Sequence, residues 1–598
     1  MKSYSSRKEI PEKYKWDLSF LYKDDKEWEE AYNEATEKVD LLTKYSGKIN
    51  DSDILCEYLD LDLSIGCIIM DLYVYAFTKL DEDLTSSEYQ QMLGKADLID
   101  NKYSVAISFF EPEILSLSSE EYAKLFENKK LSKYKKHLDK IYRFKEHTLS
   151  KEEEKIVSQL TNNVSSYGNM SSNLLNSCNN YGEVELEDGS KVEVMTTNYR
   201  KLMKILPRDK RETVYNQFNK VLDQYASISA SLLNNYVKTN ETVSKIYKFD
   251  SAWERKQFAL NLDEKVFNTL VDTVKKCHES IKKCRDVRKK VLKLDDYKPW
   301  DQYLELYEIK KEYTIEEAQD LVRKSVEILG EDYVKHYNDL IEKRSVDYCQ
   351  CKNKSSGGYN VSVLDKKESL IFMSFNEDLD SVSTLAHESG HNVHHQYVFE
   401  NNDKIYRFVE LQVAEVASLT NEILLSNYLI NNGTKEEALA GISNLIRVIT
   451  TNFYSATQEG DLELKFYDYS RKGNALTKEY LNNLCKESFK DFYDIKKLSS
   501  EYEALAWVRR SHYYDAFYLF SYAICISAAL YVAGEILKGN KEMLNNYKKF
   551  LTLGGNITIE EKFNTLGINL KDAKVYEYAD KCFNEYLDKF VELYEEVK

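Results

Sequence analysis

The chain has 598 residues, of which 31% are charged, and its formal net charge is −17. This acidic balance argues against a nucleic-acid partner, because contacts to phosphate groups require clustered cations. Only 4 Pro and 19 Gly occur, so few residues are available to interrupt helices or to close short hairpins. The composition therefore predicts a mainly α-helical protein, and the length is compatible with about one to four domains.

The N-terminal region, residues 1–110, reads as helical blocks in which acidic, basic and aromatic positions alternate. Asp24 precedes one block, and Asp is a preferred N-cap residue. The first residues lack the apolar run of a secretory signal. The 10 cysteines show no pair of CxxC-type motifs with zinc-ribbon spacing. These features predict a cytoplasmic protein with free thiols.

A second region, residues 111–200, stays helical in pattern until residues 181–194, where apolar and polar positions alternate. This alternation around Asp188 and Gly189 predicts a β-hairpin. With a three-residue loop formed by Asp188, Gly189 and Ser190, we expect Val184 to lie opposite Val194. The hairpin marks the boundary to a third region, residues 201–598.

Amphipathic helices return between residues 201 and 345, and Thr314 with Glu317 predicts a capping box at the start of one of them. Residues 355–364 then read as a flexible loop that runs into an extended segment, and Ser369–Asn376 predicts a short β-strand.

This strand has two interpretations. Its edge, at Phe372, Met373, Ser374 and Phe375, can pair with the backbone of an extended peptide. An inner strand of a small sheet is equally compatible with the sequence.

The most informative segment is Leu385–His395, in which His387, Glu388 and His391 form an H-E-x-x-H motif. On a helix, residues four apart lie on one face, so both imidazoles can reach one cation. With 9 His in the chain, a chance match has a probability of roughly one in a hundred, and a surface helix with two unrelated histidines is the alternative reading.

A catalytic zinc site takes three protein ligands and leaves the fourth position to water. Zinc lowers the pKa of that water to about 7, and Glu388 stands where it can accept the proton. We therefore expect one zinc ion per chain, although a His₂Glu ligand set also suits other divalent ions.

Two glutamates compete to be the third ligand. Glu410 lies 19 positions after His391, a spacing that resembles H-E-x-x-H aminopeptidases, and Glu415 lies 24 positions after it. On one helix the two are about 140° apart, so they cannot both face the metal. Glu422 shares the face of Glu415 and can accept a hydrogen bond from a ligand histidine. We therefore favour Glu415.

The segment Ser369–Glu422, with the H-E-x-G-H motif and the sequence Ala414-Glu-Val-Ala-Ser418 in order, resembles oligoendopeptidase F, of the thimet-oligopeptidase-like zinc metallopeptidases. Gly357–Tyr359 and Trp507–Ala523 are also similar, so the resemblance spans about residues 200–590 and extends more loosely through the N-terminal helices. It implies a mainly α-helical bowl around a deep channel, with a small β-sheet beside the zinc helix. It also implies an endopeptidase that acts on short oligopeptides.

Site residues follow from the resemblance by position. The implied zinc ligands are His387, His391 and Glu415, and the implied general base and proton shuttle is Glu388. The groups that stabilise the oxyanion would be His512 with Tyr514 or Tyr518. The substrate-binding loop would be Gly357, Gly358 and Tyr359.

Three alternatives remain open. The first is a membrane span, because residues 516–534 are apolar enough to cross a bilayer. A buried core helix has the same composition and is the reading that we favour, so we expect no second run of this kind and no membrane partner. An aminopeptidase that uses Glu410 is the second alternative. The third is a non-catalytic helical binding protein, which a degenerate site would favour. The sequence does not specify an oligomeric state.

Overall fold

The computed structural model describes residues 4–161, 164–177 and 179–597. The chain divides into two compact units, each built from three separate stretches of sequence. The first unit comprises Met1–Thr148, Lys310–Tyr428 and Val532–Gly567, and the second comprises Leu149–Ile309, Leu429–Tyr531 and Ile568–Lys598. The predicted division at residues 110 and 200 stays a prediction.

Helices dominate the first unit, as the composition predicts. They are Asp25–Leu42, Ser52–Glu82, Ser87–Ile107, Phe110–Ser116, Ser119–Leu125, Lys135–Tyr142, Ile315–Val326, Glu331–Glu342, Leu379–Asn401, most of Leu411–Asn432, Lys541–Leu551 and Ile559–Thr565. Local signals place several of their ends. Asp24 accepts hydrogen bonds from two first-turn amides, and Thr314 and Glu317 form the predicted capping box.

A three-stranded sheet completes the first unit. Strand Glu368–Phe375 lies in the middle, parallel to Val346–Cys349 and antiparallel to Tyr359–Val363. The predicted strand is thus confirmed to within one residue, but its interpretation as an edge strand is wrong. Four consecutive apolar residues, Leu370 to Met373, are fully buried, which is the pattern of a strand covered on both faces and paired on both sides.

The helix that carries the two motif histidines, Leu379–Asn401, is called here the histidine helix. It begins directly after the central strand, where the Asp378 carboxylate accepts hydrogen bonds from the backbone N–H and the hydroxyl of Ser381. Further along, the Asn392 side chain donates to the backbone oxygen of Ser369 in the central strand (2.7 Å). The cap and this contact fix the histidine helix on the sheet.

Helix Leu411–Asn432, called here the acidic helix, packs against the histidine helix at Gly390. A Cβ atom on Gly390 would lie 2.7 Å from the Cα atom of Ser418 and 2.8 Å from the backbone oxygen of Ala417. Real Cβ atoms do not approach other atoms so closely, so only glycine allows this helix spacing. The Asn421 side chain donates to the backbone oxygen of Ala386 (3.1 Å) and holds the same two helices together.

The second unit is also helical. Its helices are Lys151–Thr161, Ser165–Asn176, Thr196–Ile205, Arg208–Ile246, Ala252–Leu260, Glu264–Lys275, His278–Val291, Lys435–Ile449, Ala456–Arg471, Lys478–Tyr493, the first part of Phe520–Leu537 and Lys574–Val597. A π-helical turn, Thr450–Ser455, joins two of them. Its two strands, Glu183–Glu185 and Lys191–Glu193, form the predicted hairpin.

The register of this hairpin differs from the prediction. Val184 lies opposite Val192, not Val194. The three-residue loop begins one position earlier than expected, because Leu186 pairs with Ser190 through its backbone N–H (2.8 Å). Gly189 then occupies the left-handed position of the turn, with φ of +80°, which glycine adopts without steric cost.

Two helices among the described residues are long and apolar enough to cross a membrane by length and composition. They are Phe520–Leu537, expected from the sequence, and Ser52–Glu82, which the sequence analysis missed. In their most apolar windows, 72% and 50% of the residues are buried inside the protein, respectively. Core helices pass the same test, so these two helices are weak evidence for a membrane span.

Replacing Gly390 with Ala should destabilise the protein, because the new methyl group meets backbone atoms of the acidic helix. Overpacking of this kind costs about 1–3 kcal/mol and lowers the midpoint of thermal unfolding. Gly94→Ala is the matched control, since Gly94 is also helical and a Cβ atom added to it would have no heavy atom within 4 Å outside its own helix turn. Equal midpoints for the two variants would contradict the tight packing at Gly390.

Candidate metal centre

Three side chains in the first unit converge on one point. His387 and His391 lie one turn apart on the histidine helix, and Oε2 of Glu415, from the acidic helix, is 3.3 Å from Nε2 of His387 and 3.6 Å from Nε2 of His391. All three donor atoms lie within 4.8 Å of one another. These are the three ligands predicted from the sequence.

The spacing of these donor atoms fits a metal ion. Nitrogen and carboxylate ligands bind zinc at about 2.0–2.2 Å, and in a tetrahedral site two such ligands are therefore about 3.3–3.6 Å apart. The two measured distances to Glu415 fall in this range. The side chains of His387, His391 and Glu415 are 25%, 15% and 16% exposed, so the cluster is largely buried but remains accessible.

A second carboxylate orients His387. Nδ1–H of His387 donates to Oε1 of Glu422 (2.7 Å), which leaves Nε2 directed at Glu415. The other oxygen of Glu422 accepts a hydrogen bond from the Ser383 hydroxyl (3.0 Å). Glu415 is held in the same manner, because the Ser418 hydroxyl donates to its Oε2 (2.8 Å). Supporting hydrogen bonds of this kind fix the tautomer and orientation of metal-binding histidines.

The two motif histidines have opposite protonation preferences. Burial favours neutral imidazole, but hydrogen bonds with Glu415 and Glu422 raise the pKa of His387 well above its usual value. Burial lowers the pKa of His391 to about 4. Burial would raise the pKa of Glu415, yet the hydrogen bond with His387 and the proximity of His391 hold it well below its usual value.

Glu388 is buried beside the cluster. Burial raises its pKa to about 7; His387 lowers it, whereas the carboxylates of Glu415 and Glu422 raise it further. Gly358 lies next to this carboxyl group: a Cβ atom on Gly358 would be 3.7 Å from Oε1 of Glu388 and 3.5 Å from the backbone oxygen of Phe372. The closest atom to this Cβ position is Cγ2 of Thr384, at 3.3 Å, so a side chain at position 358 would be in contact with both Thr384 and Glu388.

Glu410, the competing ligand, takes no part in the cluster. It precedes the acidic helix and forms an ion pair with Lys562, whose side chain is only 1% exposed, and it lies 3.6 Å from Nζ of Lys140. The structure therefore brings Glu415, and not Glu410, to the histidines.

The predicted substrate-binding residues belong to two paired strands. Gly357, Gly358 and Tyr359 lie at the start of the outer strand, and Phe372 to Phe375 lie in the central strand. Tyr359 stacks on Phe372 with ring centroids 5.0 Å apart, and its hydroxyl donates to Asp81. Gly357 has φ of +100°, which favours glycine.

The edge of the sheet is displaced from its predicted position. Because Phe372 and Phe375 belong to the central strand, the outer strand Tyr359–Val363 presents the edge instead. The carbonyl of Met373 accepts a hydrogen bond from Lys354 (2.6 Å), and the Ser374 hydroxyl donates to Gln350 (2.7 Å).

His512, Tyr514 and Tyr518 belong to the second unit. The rings of His512 and Tyr518 lie 5.5 Å apart, and the Tyr518 hydroxyl is hydrogen-bonded to that of Tyr522 (3.0 Å). Tyr514 is directed elsewhere, against Tyr236 at 5.3 Å.

The sequence analysis missed Tyr522, because Tyr518 precedes the helix that begins at Phe520 and helical periodicity does not link the two residues. Burial and the neighbouring Arg510 lower the pKa of His512, which favours a neutral imidazole. Nδ1 of His512 has no hydrogen-bond partner in the part of the chain that the structure describes.

Comparison with known proteins places the chain in a family. The sequence profile of "Peptidase family M3" matches residues 202–580, and that of "Oligopeptidase F" matches residues 113–178. The chain belongs to peptidase family M3. Membership of this family makes it a metallopeptidase, in agreement with the cluster of two histidines and one glutamate, and it confirms the resemblance to oligoendopeptidase F.

Individual family members match over nearly the whole chain. Group B oligopeptidase PepB of Streptococcus agalactiae is 29% identical over 98% of this chain and 98% of its own length. Oligopeptidase PepF of Bacillus subtilis is 28% identical over 99% of this chain and 89% of its own length.

Solved structures share the fold. A chain from Chlamydophila abortus, described as a peptidase, superposes with a TM-score of 0.89 at 25% identity, over 99% of this chain and all of that one. Oligoendopeptidase F from Enterococcus faecium gives 0.75 at 24% identity, over 96% of this chain and 99% of that one. The mainly α-helical M3 fold predicted from the sequence is therefore confirmed.

Replacing Glu422 with Gln should weaken metal binding about 10–100-fold, the usual effect of losing the carboxylate that orients a ligand histidine. Competition with a chromophoric chelator measures this affinity. Glu410→Gln is the control, since it removes a half-buried carboxylate of the same unit without touching the cluster. A loss of affinity in Glu410→Gln alone would return Glu410 to the metal site.

Proposed function

We propose that the chain is a zinc-dependent endopeptidase that hydrolyses internal bonds of short oligopeptides. The observation that carries this proposal is the convergence of His387, His391 and Glu415 within 4.8 Å, with Glu388 buried beside them. Family membership and the names of the relatives, oligopeptidases PepB and PepF, support the substrate class. The nine described cysteines form no disulfide, which supports a cytoplasmic location.

Zinc bound by His387, His391 and Glu415 would supply Lewis-acid polarisation of the scissile carbonyl and acidify the attacking water. Glu388 is the proposed general base. It accepts the proton of the water during attack and then delivers it to the departing amine.

An extended peptide can pair with the strand Tyr359–Val363. In the part of the chain that is described, no strand pairs with the outer edge of Tyr359–Val363, and backbone pairing with a sheet edge binds peptides independently of their sequence. Gly358 lies where this strand begins and comes near Glu388. A side chain at this position would fill the space through which we propose the scissile bond approaches the base.

His512 and Tyr518 are the proposed donors to the oxyanion. Each carries a polar hydrogen that can stabilise negative charge on the scissile oxygen. Tyr518 is favoured over Tyr514, because its ring lies beside His512 and its hydroxyl is bound to that of Tyr522.

The two alternative functions have less support. An aminopeptidase that uses Glu410 requires a glutamate that here pairs with Lys562. A non-catalytic binding protein is expected to lose a ligand or the base, yet all four residues, His387, Glu388, His391 and Glu415, are present.

Glu388→Gln should abolish turnover while the metal stays bound, because the amide cannot accept the proton and the three ligands are untouched. The assay uses an internally quenched peptide of about ten residues with both ends blocked, a length that suits an oligopeptidase, with intact casein beside it and with or without chelator. We expect the wild type to cleave the peptide only. Activity in a metal-loaded Glu388→Gln variant would contradict the mechanism, and failure of the wild type to cleave a blocked peptide would favour the aminopeptidase.

Tyr518→Phe should lower kcat by roughly 10²–10³-fold, the usual loss for one oxyanion donor. Tyr514→Phe is the control and should have little effect, because the Tyr514 ring packs against Tyr236. Both variants keep the ring, so thermal unfolding should be similar. A larger loss in Tyr514→Phe than in Tyr518→Phe would reverse the assignment.

A further inference from the structure

The short 3₁₀-helix Ser511–Tyr514 contains His512, and the segment that joins it to the helix Phe520–Leu537 contains Tyr518. Phe517, near the end of this segment, has φ of +57°. A bulky aromatic residue rarely adopts this left-handed conformation, and it persists only where the surrounding structure determines it. Phe517 therefore marks an unusual backbone conformation directly before Tyr518.

Glu463, on helix Ala456–Arg471, fixes the backbone at this point. Its Oε1 accepts a hydrogen bond from the backbone N–H of Phe517 (2.9 Å), and the residue is only 1% exposed. The Phe517 ring packs between Tyr467, at 4.5 Å, and Trp253, at 4.9 Å. Both the amide and the side chain of Phe517 are therefore held by the second unit.

The neighbouring amides have other acceptors. The N–H of Ala516 donates to the Tyr236 hydroxyl (3.2 Å), and that of Tyr518 donates to the backbone oxygen of Asp515 (3.2 Å). Glu463 is thus the acceptor for the one amide that belongs to the left-handed residue. Without it, a buried N–H would stay unsatisfied where the backbone is already strained.

We propose that Glu463 is a positioning residue, whose buried carboxyl group holds the N–H of Phe517 and thereby fixes His512 and Tyr518 in the orientation that catalysis requires. The catalytic part of this inference rests on the proposed function of His512 and Tyr518. The structural part, the anchoring of the segment by Glu463, does not.

The surroundings of Glu463 favour a neutral acid. Burial raises its pKa to about 8, although the N–H of Phe517 and the charge of Lys256 lower it, and Asp515 raises it further. Tyr236, Tyr467 and Tyr513 are the other titratable groups that interact with it. Oε2 of Glu463 has no hydrogen-bond partner among the described residues. A glutamine, which is neutral and nearly isosteric, should therefore replace it well.

The test compares Glu463→Gln, which keeps an acceptor for the Phe517 amide, with Glu463→Leu, which removes it. Hydrogen exchange followed by mass spectrometry reports on amides 511–519 without requiring metal or activity. We expect faster exchange in this segment for Glu463→Leu and wild-type protection for Glu463→Gln. In the metal-loaded enzyme, kcat should fall roughly 10²-fold in Glu463→Leu, as for a catalytic group displaced by about 1 Å, and should be retained in Glu463→Gln.

Glu241 offers a matched control in the same unit. It is also buried, its Oε1 accepts from the backbone N–H of Ala252 (3.3 Å), and its Oε2 has no partner among the described residues. Glu241→Leu removes a comparable buried acceptor away from His512. It should speed exchange near Ala252 and leave both kcat and the protection of 511–519 unchanged.

Unchanged protection of residues 511–519 in Glu463→Leu would overturn the inference. If Glu463→Leu loses protection of residues 511–519 but keeps full kcat, and if His512→Phe is inactive, the catalytic part of the inference is overturned. If His512→Phe is as active as the wild type, the proposed function of His512 has failed, and the exchange data alone still decide whether Glu463 anchors the segment.

The pH dependence of stability gives an independent readout. The folded protein holds the proton of Glu463 up to a pH of about 8, whereas the unfolded chain releases it near about 4.3. The stability contributed by this proton is complete below about pH 4.3 and is lost as the pH rises to about 8. The melting temperature of the wild type should therefore fall relative to Glu463→Gln across this window. Parallel melting curves throughout would contradict a neutral Glu463, whereas the exchange data decide whether Glu463 anchors the segment.

Discussion

The metal cluster depends on a close contact between two helix backbones at Gly390. Because Gly390 has no side chain, Ser418 of the acidic helix can approach the histidine helix to a distance that a Cβ atom would forbid. This contact brings Glu415 within 3.6 Å of both imidazoles and, two turns further along the same helix, brings Glu422 to Nδ1 of His387. One helix contact therefore sets both the distance from Glu415 to the histidines and the distance from Glu422 to His387.

Electrostatics then distinguishes two chemically identical rings. His387 lies between two carboxylates and is favoured as a cation when no metal is bound, whereas His391 is buried with weaker partners and is favoured as a neutral base. A proton on His387 therefore supplies part of the positive charge that a metal ion would bring to the two carboxylates. Glu415 and Glu422 also accept hydrogen bonds from Ser418 and Ser383, so groups other than the histidines hold both carboxylates in place.

Local chemistry explains what could be predicted from the sequence. The spacing of His387 and His391 follows from one helical turn, and the caps at Asp24 and Thr314 depend on residues two or three positions away. Glu415 could be chosen over Glu410 because Glu422 shares its face. Each of these predictions needed only the geometry of a single helix.

Long-range pairing explains what could not be predicted. The edge position expected for Phe372 fails because Val346–Cys349, a distant stretch of the chain, occupies one side of the strand. The hairpin register depends on which residue takes the left-handed turn position. Gly189 was expected as the second residue of the three-residue loop but is its third. Glu463 lies 54 residues before Phe517, so no periodicity links them. The need for glycine at position 390 likewise becomes evident only when the partner helix is known.

The segmented construction of the first unit affects how the enzyme is made. Its last stretch, Val532–Gly567, contains Lys562, the partner of Glu410 just before the acidic helix. Chains are synthesised from the N-terminus, and domains generally fold as units. The unit that contains the metal ligands therefore cannot be completed on the ribosome until nearly the whole chain has emerged. A chain interrupted before Val532 therefore lacks part of the unit that holds the metal ligands.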